Sequence, residues 1–182
     1  MKDEVVERIQ VSDSVEIKIY RDEDPLDPRK KFDNTGTIYS NHRQYSPDDH
    51  SIDELGDSMS DIIKNLDKNY IWLNVYAYIH SGITVRAAPF NDPWDSGLFG
   101  IIAIPKSRVL KEYGVKRISK KLADKIRDVL KGEVQTLDDY YNDEVYGYVI
   151  EQDGEEVESC WGYYGLQWCK DSAKEAADGY AA

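Results

Sequence analysis

Residues 70–79, YIWLNVYAYI, constrain this chain more than any other stretch. They are rich in aromatic and β-branched side chains, which favour a pleated strand. Apolar side chains fall on both faces, so the strand is expected in the interior of a sheet. LFGIIAIP, residues 98–105, reads as a second buried strand.

The partners come from either side. Residues 4–20 alternate well enough for two strands or one bent strand, and TIYSN is a short strand. Residues 144–164 alternate around Asp153-Gly154 and predict a hairpin. Ser51 with Glu54 three residues on predicts a capped helix from Ile52, with Ile52, Leu55, Met59, Ile62, Ile63 and Leu66 on one face and Gly56 as its weak point. A short helix is expected from Ser107 to Tyr113, stopped by Gly114. Residues 117–134 carry Ile118, Leu122, Ile126, Val129, Leu130 and Val134 at helical spacing. Thr136 with Asp139 predicts a second helical piece, and LQWCKDSAKEAADGY closes the chain as a helix. The expectation is one α+β domain over 1–182: a largely antiparallel sheet with helices packed on one face, and irregular polar segments near 21–36 and 41–51.

Charge is segregated along the sequence. Residues 106–131 hold ten Lys and Arg against three acids. Residues 132–169 hold no Lys or Arg. Their acids Asp138, Asp139, Asp143, Glu144, Glu151, Asp153, Glu155, Glu156 and Glu158 interleave with Tyr140, Tyr141, Tyr146 and Tyr148. A second acidic block is Asp48, Asp49, Asp53, Glu54, Asp57 and Asp61. Two readings stay open. These are solvated faces on which the basic helix pairs with the acidic hairpin, or they form a negative surface for a basic partner. Carboxylates with amphipathic aromatics can stand in for phosphates with stacked bases. The first group, with Tyr140 and Tyr141, is the primary expected contact surface, and the block from Asp48 to Asp61 is secondary.

The net charge of −12 argues against general affinity for nucleic acid, so direct binding is expected to be weak at most. No apolar run is long enough to span a bilayer, and MKDEVVERIQ lacks the apolar stretch of a signal peptide, so a soluble intracellular protein is expected. Cys160 and Cys169 read as free thiols. With His42, His50 and His80 they show no zinc-ligand spacing, and no metal or cofactor is expected.

HSGITVRAAPFNDPWDSGLFG, residues 80–100, holds the residue types of an active site. A hydrolase could be drawn from His80, Asp95 and Ser81 or Ser96. Adjacent His80 and Ser81 on a strand end point to opposite sides, and no nucleophile elbow is present. The stronger reading is a stiff polar turn: Ala88-Pro89 and Asp92-Pro93 restrict it, Trp94 lies over the core edge, and Gly97 and Gly100 let the next strand approach its neighbour. No catalytic residues are expected.

The order TGTIYSNHRQY, YIHSGITVRAAPFNDPWDSGLFG, KEYGVKR, DEVYGYVIE and ESCWGYYG resembles a family of small acidic proteins carried by phages and mobile elements of Gram-positive bacteria. The likeness spans about residues 14–175. One branch looks like a type II-A anti-CRISPR protein. The resemblance implies a non-enzymatic binder acting in the bacterial host cytoplasm. Its partner would be the type II CRISPR effector nuclease, guide-RNA loaded, blocked from productive DNA engagement. An antirestriction DNA mimic is the neighbouring alternative. The resemblance carries no catalytic residues over.

Overall fold

The computed structural model describes residues 4–92 and 94–180. In chain order these residues form β1 (Val5–Gln10), β2 (Val15–Arg21), α1 (Pro28–Lys31), β3 (Thr37–Ser40), a 3-10 turn (Ile52–Leu55), α2 (Met59–Asn69), β4 (Tyr70–Ile79), β5 (Ile83–Arg86), β6 (Ser96–Pro105), α3 (Lys106–Glu112), α4 (Lys120–Tyr141), β7 (Val145–Gln152), β8 (Glu155–Tyr164) and α5 (Leu166–Ala177). The class is α+β with antiparallel strand pairing, as the sequence predicts. The strands divide over two sheets of four, ordered β1-β2-β7-β8 and β3-β6-β4-β5. The chain falls into two compact units, Met1–Asp27 with Asp139–Ala182 and Pro28–Asp138. Among the described residues no helix is long and apolar enough to cross a membrane.

In the first unit the alternation of β2 and β7 sets the register. Ile17 pairs with Ile150 and Ile19 with Tyr148. A one-residue slip would turn every one of these side chains outward. With Val15 they pack on Cys169, Ala173 and Ala177 of α5, the small residues letting the helix sit close. The β7–β8 hairpin turns through Asp153 (φ 52°) and Gly154 (φ 84°), the left-handed pair of a type I′ turn.

In the second unit β4 and β6 are the interior strands, each hydrogen-bonded on both sides. Ile101 and Ala103 of β6 pack with Leu55, Ile62 and Leu66. Ile102 and Ile104 alternate with them and are also fully buried. That is why LFGIIAIP reads as an unbroken apolar run. At Gly100 a Cβ would strike the carbonyl oxygen of Tyr39, so glycine permits the β3–β6 approach. Gly97 faces open space.

Three sequence expectations change in detail. Ser51 and Glu54 do form a reciprocal capping box, but it opens a single 3-10 turn that ends at Gly56, and Ser58 caps α2 separately. The segment 21–36 contains the one-turn α1. Residues 120–141 are one helix: it starts at Lys120, where Ser119 Oγ accepts the Leu122 N–H, and runs through Thr136, whose hydroxyl bonds back to the Gly132 carbonyl. Thr136 and Asp139 therefore lie inside this helix and do not open a second one.

Candidate functional site

Residues 1–27 and 139–182 hold 20 Asp and Glu against 6 Lys and Arg, a formal −14. Residues 28–138 hold 15 against 17, a formal +2. The first unit thus carries the whole excess of negative charge. Only a few of its acids are neutralised. Lys18 lies 2.5 Å from Glu151 and 3.7 Å from Glu16, Arg8 pairs with Glu16 at 3.0 Å, and Lys170 with Glu7 at 2.7 Å. Asp22, Glu23, Asp24, Asp143, Glu144, Asp153, Glu155 and Glu156 make no ion pair among the described residues.

The densest part of this surface lies where β2 ends and β7 begins. Asp22 N–H donates to the Val145 carbonyl and Asp24 N–H to Asp22 Oδ1, which turns the chain immediately after the strand. Arg21 Nη1 donates to the Asp143 carbonyl at 2.5 Å. Asp143 itself takes a left-handed conformation, φ 55°, which Asp tolerates better than most residues. A groove of about 640 Å³ opens here, lined among others by Glu4, Arg21, Asp22, Glu23, Pro25 and Asp143. Tyr140 and Tyr164 stand in the same acidic field. Burial pushes the Tyr140 phenol up, and Asp27, Asp143 and Asp24 add to it. Burial likewise pushes Tyr164 up to about 12, with Asp22, Tyr140 and Asp27 contributing. Tyr140 and Tyr141 have ring centroids 6.1 Å apart.

Along the hairpin, Asp153, Glu155 and Glu156 are exposed on the turn and on β8, an edge strand of its sheet. Glu158 is half-buried and accepts both the Tyr148 and Tyr180 hydroxyls at 3.0 Å. It serves the packing under the sheet rather than the outer surface. Glu151 is tied to Lys18.

The structure removes several expected contact residues from the surface. Asp139 is 5% exposed and presents no charge to a partner. Asp138 is half-buried and accepts the Val85 N–H at 2.7 Å. In the block from 48 to 61, Asp48 is locked by Arg29 and by the Ile38 N–H, and Asp49 pairs with Lys30. Glu54 is held by His50 and the Ser51 N–H, and Asp61 closes the α2 cap through Ser58. Asp53 accepts from Asn41, while Asp57 is exposed. Only Asp48 of that block is withdrawn from the surface; Asp49, Asp53, Glu54, Asp57 and Asp61 stay exposed. Sequence reading missed Asp22, Glu23, Asp24 and Asp27, hidden in a loop whose lysines and arginines masked the acidic run at its start.

The 80–97 loop assembles no nucleophile and base. His80 Nδ1 is 3.7 Å from Asp95, and its side chain is 73% exposed. The Ser96 hydroxyl is spent on the Asp92 carbonyl, and Asp92 Oδ1 accepts the Trp94 and Asp95 N–H groups. Arg86 folds onto the Ala88 and Pro89 carbonyls and over the Phe90 ring, 3.8 Å from its centroid. The loop is held by its own backbone bonds. Trp94, expected over the core edge, is instead 91% exposed. Pro93, one of the expected stiffening prolines, lies outside the described residues. Among the described residues no group of three His, Cys, Asp or Glu could hold a metal ion.

No protein-family model matches this chain, and neither a curated protein nor a solved structure matches it.

Proposed function

We propose that this chain is a binding protein whose acidic first unit occupies a positively charged nucleic-acid channel on a partner. We further propose that the partner is the guide-RNA-loaded type II CRISPR effector nuclease, blocked in the bacterial cytoplasm from productive DNA engagement. The observation that supports this is the concentration of charge: −14 on 71 residues, with eight carboxylates left without a cation among the described residues. Such a surface repels itself, and a basic partner relieves the repulsion. The nuclease named by the family resemblance holds its heteroduplex in a basic channel and reads its adjacent motif with arginines. Tyr140 and Tyr141, beside Asp24, Asp27 and Asp143, supply amphipathic rings of the kind enriched at interfaces. Binding of this type is steered electrostatically and weakens as salt rises.

The test is capture of the guide-loaded nuclease by the tagged chain, with and without target DNA, together with a DNA-cleavage titration. Full inhibition at one-to-one stoichiometry supports occupancy. Two charge-reversed variants locate the face: Asp22→Lys with Glu23→Lys and Asp24→Lys, and Glu155→Lys with Glu156→Lys. The first set is expected to reduce inhibition at least tenfold while the protein stays folded. Undiminished inhibition by both folded variants rejects this surface. Capture of a restriction enzyme in place of the nuclease shifts the reading to an antirestriction DNA mimic. Inactivation by trace amounts of the chain would make it an enzyme.

A further inference from the structure

The second unit carries a surface of opposite sign. A groove of about 510 Å³ runs between the end of α2, the start of β4, α3 and the first turns of α4. Its cations are Lys106, Lys116, Arg117, Lys120 and Arg127, and Asp67 is the one carboxylate among its lining residues. Lys106 Nζ donates to the Asp67 and Lys68 carbonyls at 2.6 and 3.1 Å, and Arg127 is 3.0 Å from Asp124. Lys116, Arg117 and Lys120 are exposed and make no ion pair among the described residues. Three uncompensated cations beside two more around one groove repel each other, and a bound anion removes that repulsion.

The groove is more than a patch of charge. Tyr70 and Trp72 stand two residues apart on β4, so both project to the same side of the strand, where they pack against the Leu55, Ile62 and Leu66 cluster, and both stay half-buried where they line the groove. The Trp72 indole N–H donates to Asp67 Oδ1 at 3.1 Å, which fixes the ring. Leu110, Ile118 and Ala123 give the lining an apolar part. A volume of this size falls within the range of about 300–1,000 Å³ typical of small-molecule sites. Cations at the rim with a fixed aromatic plane and apolar surface suit one ligand chemistry: a few negative charges attached to a flat ring.

We propose that this groove binds a nucleoside phosphate, with Lys116, Arg117, Lys120 and Arg127 on the phosphates and the base against Trp72 and Tyr70. A nucleic-acid strand fits less well, because its phosphates extend beyond the groove onto the rest of the second unit, which carries no net positive charge. This site is independent of the acidic surface of the other unit and needs no protein partner.

Calorimetric titration of the full chain tests it with three probes: ATP, inorganic triphosphate and a single-stranded ten-nucleotide DNA. ATP is expected to bind one to one, about tenfold tighter than triphosphate, a factor within the range that stacking of one base supplies. The variant Lys116→Glu with Arg117→Glu changes only exposed side chains, and it is expected to weaken ATP about tenfold or more with an unchanged melting curve. Equal affinity for ATP and triphosphate overturns the aromatic half of the site. Absent ATP binding, or ATP affinity indifferent to the double variant, overturns the whole. Tight binding of the oligonucleotide with no binding of ATP overturns it in favour of a strand-binding groove.

Discussion

The Arg29 guanidinium grips the Asp48 carboxylate through two parallel hydrogen bonds, Nε to Oδ1 at 2.8 Å and Nη2 to Oδ2 at 2.5 Å. The same group donates to the Gly36 carbonyl at 2.7 Å and to Glu133 at 3.0 Å, with its side chain 2% exposed. Asp48 accepts the Ile38 N–H and Glu133 the Thr35 and Gly36 N–H groups, so one arginine ties α1, β3 and α4 together. Breaking a buried pair from one side costs about 3–5 kcal/mol. Arg29→Ala is expected to lower the unfolding free energy in urea by about that amount. Arg29→Lys should restore only part of it, because an ammonium cannot reproduce the fork.

The Trp161 indole lies across Gly147, where a Cβ would collide with its ring atoms. Tyr20 borders the same ring, with centroids 6.1 Å apart. Gly147→Val is expected to displace the indole from the sheet, at a cost of about 1–3 kcal/mol for overpacking. A red shift of tryptophan emission relative to the parent, absent when the substitution is made in a Trp161→Leu background, is the measurement.

Acid should act through the Ser51–Glu54 capping box. The hydrogen bond from His50 and that from the Ser51 N–H hold the Glu54 carboxyl below its ordinary 4.5. A carboxyl depressed in the folded state stabilises above the unfolded value and loses that contribution as pH falls through the folded one. The melting temperature of the parent should therefore exceed that of Glu54→Gln at pH 6. The gap should close progressively below pH 4.5. A constant gap from pH 6 to pH 3 would show that the cap does not depend on the carboxylate charge.

The two thiols should separate cleanly. Cys160 is exposed, whereas Cys169 is buried under the sheet and burial pushes its thiol up to about 12. At pH 8 a chromogenic disulfide reagent is expected to titrate one thiol per chain promptly and the second only in denaturant. Two fast thiols would mean that α5 opens readily.

Much of the fold is written in short-range pattern. Strands β4, β6, β7 and β8, the Asp153-Gly154 turn and the α5 face follow from alternation, turn chemistry and helical spacing that local residues alone decide. The division into two sheets was not legible, since strand partnership between residues 15–21 and 145–152 depends on closure of a long chain segment. The break imagined at Thr136 has a similar cause: Thr and Asp look like a cap, but inside a helix the hydroxyl can bond the carbonyl one turn back. The acidic hairpin was visible in the sequence. The tyrosine-centred cluster at 22–27 and 140–144 was not, because its halves are far apart in the chain. Asp48, Asp138 and Asp139 show the converse limit, as composition counts a carboxylate without saying which amide or guanidinium has already claimed it.

Among the described residues strand β8 has no strand on its outer side, and it carries Val157 and Trp161, 39% and 44% exposed. A free edge with such side chains invites another copy to add a strand, and the charges of Glu155 and Glu156 at its start oppose that approach. As solution pH approaches the isoelectric point near 4.7, the repulsion between whole molecules weakens. Acidity near that point is therefore the condition under which this chain would begin to assemble edge to edge and leave solution.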